Sequence, residues 1–205
     1  AASKQINPDG FPGPAVVLAA ANSYADALVG VPLASTRGGP VLLTGRDALD
    51  PATEAEIARV TDKSYAVVYV LGGTAAIGAP VEARLRDLGY DVVRIAGANR
   101  FATAVAVARE LEDPPTILEA TGVRFPDALA AGAAAGGNGY IVLLTNGTSQ
   151  APETASYIAE HPNATRFAIG GAAAAADPDA EVVAGADRYE TSARVAERFF
   201  TDPFD

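Results

Sequence analysis

With 205 residues, 49% of them hydrophobic, the chain can bury a sizeable core without metals or disulfides. It contains no cysteine, which excludes a disulfide framework, a thiolate metal site and a cysteine nucleophile. Against 25 Asp and Glu stand 15 Lys and Arg, a net charge of −10 that repels nucleic-acid phosphates and anionic lipid.

Residues 1–14 read as an N-terminal extension without the apolar segment of a signal peptide, and no run reaches the ~18 apolar residues of a membrane span. The chain opens on Ala1 and holds no methionine, as in a processed or trimmed protein. An apolar strand is expected over 15–19, a helix over 26–35, a buried strand over 41–43 and a helix over 52–60. A β-branched strand at 67–71 runs into Gly72-Gly73, and Pro80 opens a helix that Gly89 closes. A strand at 92–95 and an amphipathic helix at 103–111 complete the series. From Thr116 the order returns with strands at 117–119, 141–144, 167–169 and 181–183, the third helix being reduced to the alanine run before Asp177-Pro178. Strands alternating with helices of about ten residues predict an α/β fold of tandem doubly wound units, with mainly parallel sheets covered on both faces.

The return is a duplication. Tyr24-Ala25-Asp26-Ala27-Leu28 reappears 101 positions later as Phe125-Pro126-Asp127-Ala128-Leu129, and Val41-Leu42-Leu43-Thr44 at the same spacing as Val142-Leu143-Leu144-Thr145. Leu71-Gly72-Gly73 matches Ile169-Gly170-Gly171 at 98, and Gly97-Ala98-Asn99-Arg100-Phe101-Ala102-Thr103 matches Gly185-Ala186-Asp187-Arg188-Tyr189-Glu190-Thr191 at 88. The units are 15–112 and 113–205. The second is shortened in its connections and ends on what reads as the start of a third, since Asp202-Pro203 echoes Asp113-Pro114.

Residues that follow parallel strands stand at the carboxyl edge of the sheet, where α/β proteins bind ligands. Asp26 and Asp127 follow the first strand of each unit; they either accept hydrogen bonds from a ligand or cap the helices they precede. Arg100 and Arg188, each beside an aromatic residue, follow the last strands. A guanidinium there either grips an acidic sugar or phosphate in forked geometry or pairs with Asp26 or Asp127, locking one unit to the next. Arg124 belongs to the same kind of edge. Thr103 and Thr191 read as first-turn residues, and the Gly-Gly pairs as tight turns, because no Lys-Ser or Lys-Thr follows as a nucleotide loop requires.

Catalytic signatures fail. His161, the sole histidine, lies in a polar connection without a counterpart in the first unit. The stretch from Asp177 opens like a calcium loop but has Val182 where the glycine belongs and Arg188 where the bidentate glutamate belongs. No enzyme activity, cofactor or metal is expected. Asn146-Gly147-Thr148 and Asn163-Ala164-Thr165 fit the N-glycosylation pattern.

Taken in order, (Tyr/Phe)-x-Asp-Ala-Leu, Pro40-Val41-Leu42-Leu43, strand-Gly-Gly and Gly-x-x-Arg-(Phe/Tyr)-x-Thr resemble the cell-wall-binding repeat 2 family over residues 15 to 200. The resemblance implies toprim- or Rossmann-like modules that commonly occur in threes. Such modules anchor secreted proteins at the extracellular cell surface by non-covalent binding to an anionic wall polysaccharide or teichoic-acid-like polymer, without catalysis. It maps an anchoring segment onto Pro40, Val41, Leu42 and Leu43; the second copy lacks the proline, and a buried core strand is the plainer reading of both. Arg100, Arg124 and Arg188 are then the expected polymer contacts. Family units begin with the Gly-x-x-Arg helix, whereas this chain starts near a strand and ends just after that helix. This suggests an alternative, a self-assembling surface subunit in which 185–200 docks beside the 15–19 strand, closing the chain or joining copies head to tail. A trimmed fragment is the other reading of the same ends. Neither nucleic acid nor membrane insertion is expected.

Overall fold

Each apolar run of the sequence becomes a parallel strand in a computed structural model that describes residues 13–112 and 114–200. The extension before Gly13, Asp113 and the Asp202-Pro203 echo lie outside the described residues. In the first unit, β1 (Ala15–Ala20), β2 (Val41–Thr44), β3 (Val67–Leu71) and β4 (Asp91–Ile95) form one sheet in the order β2-β1-β3-β4. In the second, β5 (Thr116–Thr121), β6 (Ile141–Thr145), β7 (Thr165–Ile169) and β8 (Glu181–Val183) repeat that order. The register repeats as well: Leu18 lies opposite Leu42 and Val70, and Glu119 opposite Leu143 and Ala168.

The helices are α1 (Tyr24–Thr36), α2 (Pro51–Val60), α3 (Ala79–Asp87), α4 (Arg100–Glu110), α5 (Phe125–Asn138), α6 (Pro152–Glu160), α7 (Gly171–Ala176) and α8 (Arg188–Phe199). The doubly wound α/β architecture expected from the sequence is what the chain adopts. Helices α1 and α4 begin earlier than hydrophobic periodicity suggests, at Tyr24 and Arg100, because their first turns are partly polar.

Small residues weld the units together. Helix α5 presents Gly132 and Gly136 to α1; a Cβ at Gly132 would stand 3.0 Å from the Leu28 carbonyl oxygen, and one at Gly136 3.1 Å from Val31 Cγ1. Ser35 Oγ donates to the Gly136 carbonyl at 2.7 Å. A helical glycine costs about 1 kcal/mol against alanine, which the close backbone approach offsets here. One core therefore runs through both units, with Val17, Leu33 and Leu71 of the first continuous with Ala131, Leu144 and Ile169 of the second.

By period α4 belongs to the first unit, yet it packs on β6 and α6 of the second while also lying along α1. Asn99 Nδ2 donates to Glu153 Oε1 at 2.7 Å, and Arg109 pairs with Glu160 at 2.6 Å, tying α4 to α6. Helix α8 takes the matching place against α5 and β8, where Phe199 meets the Phe167 ring edge-on at 5.1 Å. It does not dock beside β1, so closure of the chain on itself is corrected: the buried stripe Thr191, Val195 and Phe199 is satisfied within its own unit.

The outer layers diverge. In the first unit α2 and α3 cover Leu18, Val68 and Val70 with Ile57, Val81 and Leu85. In the second, only the six-residue α7 replaces α3.

Candidate functional site

The repeated motifs converge on the carboxyl edges of the two sheets, which meet where α4 crosses from one unit to the other. Ser23 and Arg124 occupy the N-cap positions of α1 and α5, and neither side chain caps. Asp26 and Asp127 sit inside the first turns, so the capping reading is corrected. Their carboxyls stand against the Gly-Gly turns: Gly72 (φ +87°) and Gly170 (φ +86°) take left-handed conformations, and a Cβ at Gly72 would lie 2.8 Å from Asp26 Oδ2. The glycines thus serve both the turn and the room for the carboxyl. Burial pushes the Asp26 and Asp127 carboxyls up from the ordinary range, while Arg100 and Arg188 respectively act in the opposite sense.

The arginine of each motif does not clasp the aspartate. Arg100 Nη1 donates to the Gly122 carbonyl at 2.5 Å, and its guanidinium lies 5.9 Å from the Tyr24 ring centroid. Tyr24 Oη donates to the Val123 carbonyl at 2.9 Å, and the Tyr24 and Phe125 rings meet edge-on at 5.9 Å. Phe101 fills the space beside Gly122, where a Cβ would come within 3.1 Å of Phe101 Cε1 and 3.2 Å of Leu144 Cβ. Arginine does lock unit to unit, but through a backbone carbonyl and an aromatic ring.

Capping falls to residues the sequence reading passed over. Asn99 accepts from the amides of Phe101 and Ala102, and Asp187 from those of Tyr189 and Glu190. Thr103 and Thr191 are first-turn residues as expected, their hydroxyls accepting from Gly97 N at 3.1 Å and Gly185 N at 3.0 Å. The signal was the matched Asn/Asp one position before each arginine.

In the second unit the same edge is open. Arg188 and Arg124 are exposed and make no hydrogen bond or ion pair among the described residues. Around them stand Phe125 at 49%, Val123 at 54% and Tyr189 at 79% exposure. Arg100, Arg124 and Arg188 are therefore not equivalent: the first is engaged at the junction and the other two face solvent.

Segment Pro40–Leu43 forms the outer strand of the first sheet. Val41 and Leu42 are half-buried and Leu43 is 49% exposed, whereas its counterpart Leu144 is 1% exposed. The buried-strand reading holds for β6 and fails for β2, because only β6 has a helix of the α4 kind over it. Asn146 and Asn163 are both exposed in loops. His161 stacks on Tyr157 with ring centroids 4.1 Å apart, a packing role at the end of α6.

One cluster was not singled out from the sequence. Glu119, Gln150, Arg166 and Asp177 meet on the outer face of the second sheet. Burial foremost, then the Asp177 neighbour, pushes Glu119 up to about 8. Burial also acts to raise Asp177, but its hydrogen bond with Glu119 and the Arg166 charge outweigh this and hold it low. The visible signal was Glu119 in an apolar strand, where β1 has Leu18.

Two parallel sheets joined through a shared helical layer, with matched aspartate–glycine and arginine–aromatic edges, define a tandem-repeat α/β protein. The family model for cell wall binding domain 2 (CWB2) matches residues 1–82 and 94–178, and the chain belongs to that family. The N-acetylmuramoyl-L-alanine amidase LytC of Bacillus subtilis (strain 168) is 30% identical over 188 residues, 89% of this chain and 37% of the relative. The Amidase enhancer of the same organism is 35% identical over 130 residues, 63% of this chain and 18% of that protein. Among solved structures, Cwp6 from Clostridium difficile matches with a TM-score of 0.84 at 27% identity, covering 98% of this chain and 33% of that one. Cwp8 from Clostridium difficile has the same TM-score at 26% identity, with 96% and 36% covered. The chain thus spans little more than a third, at most, of these relatives. No helix among the described residues is long and apolar enough to cross a membrane.

Proposed function

We propose that this chain is a non-catalytic module of the cell surface. It binds an anionic wall polysaccharide or teichoic-acid-like polymer through Arg124 and Arg188 and anchors a secreted protein there. The observation that carries the assignment is the split fate of the repeated arginine: Arg100 is engaged by Gly122, while Arg188 and Arg124 are exposed and make no hydrogen bond or ion pair among the described residues. Phe125 and Tyr189 beside them offer rings against which sugar faces can stack. A guanidinium gives a phosphate or uronate two parallel hydrogen bonds, so contact is short-range and directional. That suits a protein of net charge −10, which cannot draw an anionic polymer from a distance beyond ~10 Å of screening. Sedimentation with purified walls tests it. Arg124→Ala/Arg188→Ala is expected to stay folded and lose most wall binding, and retention of native binding by the folded double variant would overturn the assignment.

A second reading is favoured by one specific pair of surfaces. Phe101, Val105 and Ala108 occupy on α4 the repeat positions that Tyr189, Ala193 and Ala196 hold, exposed, on α8. Leu43 is open on β2, where Leu144 on β6 is covered. An α8 helix of one copy laid on β2 of another would reproduce the internal junction and give head-to-tail assembly. Light scattering across a concentration series decides; a strictly monomeric protein, unchanged by Leu43→Glu, removes this reading.

A further inference from the structure

Glu119 is 0% exposed on β5, at the repeat position of Leu18. Its surroundings have changed in concert: Leu49 is matched by Gln150, and Val68 by Arg166. The helix that buries Val81 and Leu85 in the first unit is replaced by α7, which ends at Asp177. An apolar layer in one unit has become, in the other, a core of Ala168, Ala173 and Ala180 beside four polar side chains. Gln150 Nε2 donates to Glu119 Oε2 at 2.5 Å. Arg166 Nε donates to Asp177 Oδ2 at 2.8 Å, and the Asp179 amide to Asp177 Oδ1 at 3.1 Å. The Glu119 and Asp177 carboxyls are neighbours in this cluster, and two buried carboxyls side by side are favourable only when one proton lies between them. Glu119 Oε1 accepts from no donor among the described residues.

We propose that Glu119 and Asp177 share one proton that clamps α7 and the start of β8 onto β5, and that opening of residues 171–183 releases this proton, so that the segment opens more readily as pH rises while the first unit stays closed. The charged groups facing Glu119 from the elements packed on it are Asp177, at the end of α7, and Arg166, on β7. Strand β6 contributes Leu143, and α7 is Gly171 followed by alanines. Arg166 is bound to Asp177, so a second carboxylate at Glu119 would be buried with no counter-ion of its own and one oxygen unsatisfied. Alanine contacts supply little hydrophobic resistance to opening. The released segment, which includes β8, leads into α8, which bears Arg188. That link to wall binding rests on the function proposed above; the clamp itself does not.

Hydrogen exchange on the intact chain tests the clamp without reference to wall binding. A carboxyl that holds its proton to about pH 8 when clamped, and only to the ordinary range when open, makes opening about tenfold easier per pH unit in between. Protection of 171–183, corrected for intrinsic exchange, is therefore expected to fall about tenfold per unit from about pH 5 to 8, while 79–95 holds steady. Glu119→Gln, which stays neutral, is expected to abolish the fall. Asp177→Asn, which leaves Arg166 for the Glu119 carboxylate, is expected to do the same and serves if the first variant does not fold. Protection of 171–183 in the native protein that is independent of pH, or a fall of equal size in a folded variant, overturns the proposal.

Discussion

Arg100 and Gly122 belong to different units, and the 2.5 Å hydrogen bond from Arg100 Nη1 to the Gly122 carbonyl joins them, whereas the repeat-equivalent Arg188 makes no such bond among the described residues. Hydrogen bonds from charged groups contribute about 1.5–3 kcal/mol when enclosed, and this partly exposed one is expected near the lower end. Arg100→Ala should lower unfolding free energy by about 1 kcal/mol or more, and Arg188→Ala by less than about 0.5 kcal/mol. Urea titrations of both variants check this; equal losses would contradict the distinction.

Leu43 and Leu144 separate in the same way. Truncating the buried Leu144 to alanine is expected to cost about 2–5 kcal/mol, and truncating the half-exposed Leu43 under about 1 kcal/mol. Thermal melts would show the gap directly, and comparable melting temperatures for the two variants would mean that α4 does not seal β6.

The close contact of α1 with α5 makes Gly132 intolerant of bulk. Gly132→Leu improves helix propensity by roughly 1 kcal/mol but drives a side chain into the Leu28 carbonyl, and overpacking of this kind costs about 1–3 kcal/mol. Net destabilisation is expected by circular dichroism on denaturant unfolding. A stabilised variant would refute the packing.

Stability should decline from mildly acidic to alkaline pH. Glu119, Asp26 and Asp127 have folded pKa values raised above their unfolded ones, so the folded state holds protons that the unfolded chain has released. Their contribution is greatest below the ordinary carboxylate range and fades as pH climbs, for Glu119 until about 8. Asp177 and Glu82 are depressed and act oppositely, adding stability above the ordinary range that is lost as pH falls through their folded values. The melting temperature is thus expected to peak at mildly acidic pH, and Glu119→Gln to flatten the alkaline limb. A native melting temperature that rises from about pH 5 to 8 would count against this balance.

Much of this fold was legible because its information is local. Apolar runs too continuous for one-sided strands, glycine pairs after β3 and β7, and the spacing of four motifs all follow from short-range rules of periodicity and turn chemistry. The site was less legible. Asp26 and Asn99 are both short polar residues near helix starts, and which of them caps depends on where the first turn closes. Glu119 is a charged residue in an apolar strand, but Gln150 and Asp177 are 31 and 58 positions away along the chain, and only packing brings the three together.

By itself the sequence determined the duplication, the alternation of strands and helices, and the erosion of the third helix in the second unit. Each is written in residue order and repeat spacing. Tertiary structure alone decided which copy of each motif is occupied. Arg100 and Arg188, Leu43 and Leu144, and Leu18 and Glu119 are matched by repeat position, yet one member of each pair meets a neighbour that the other lacks. The physical reason for the first two pairs is that α4 leaves its own sheet to cover the next, and for the third that the short α7 stands over the second sheet where α3 covers the first, so matched positions lie in unequal surroundings.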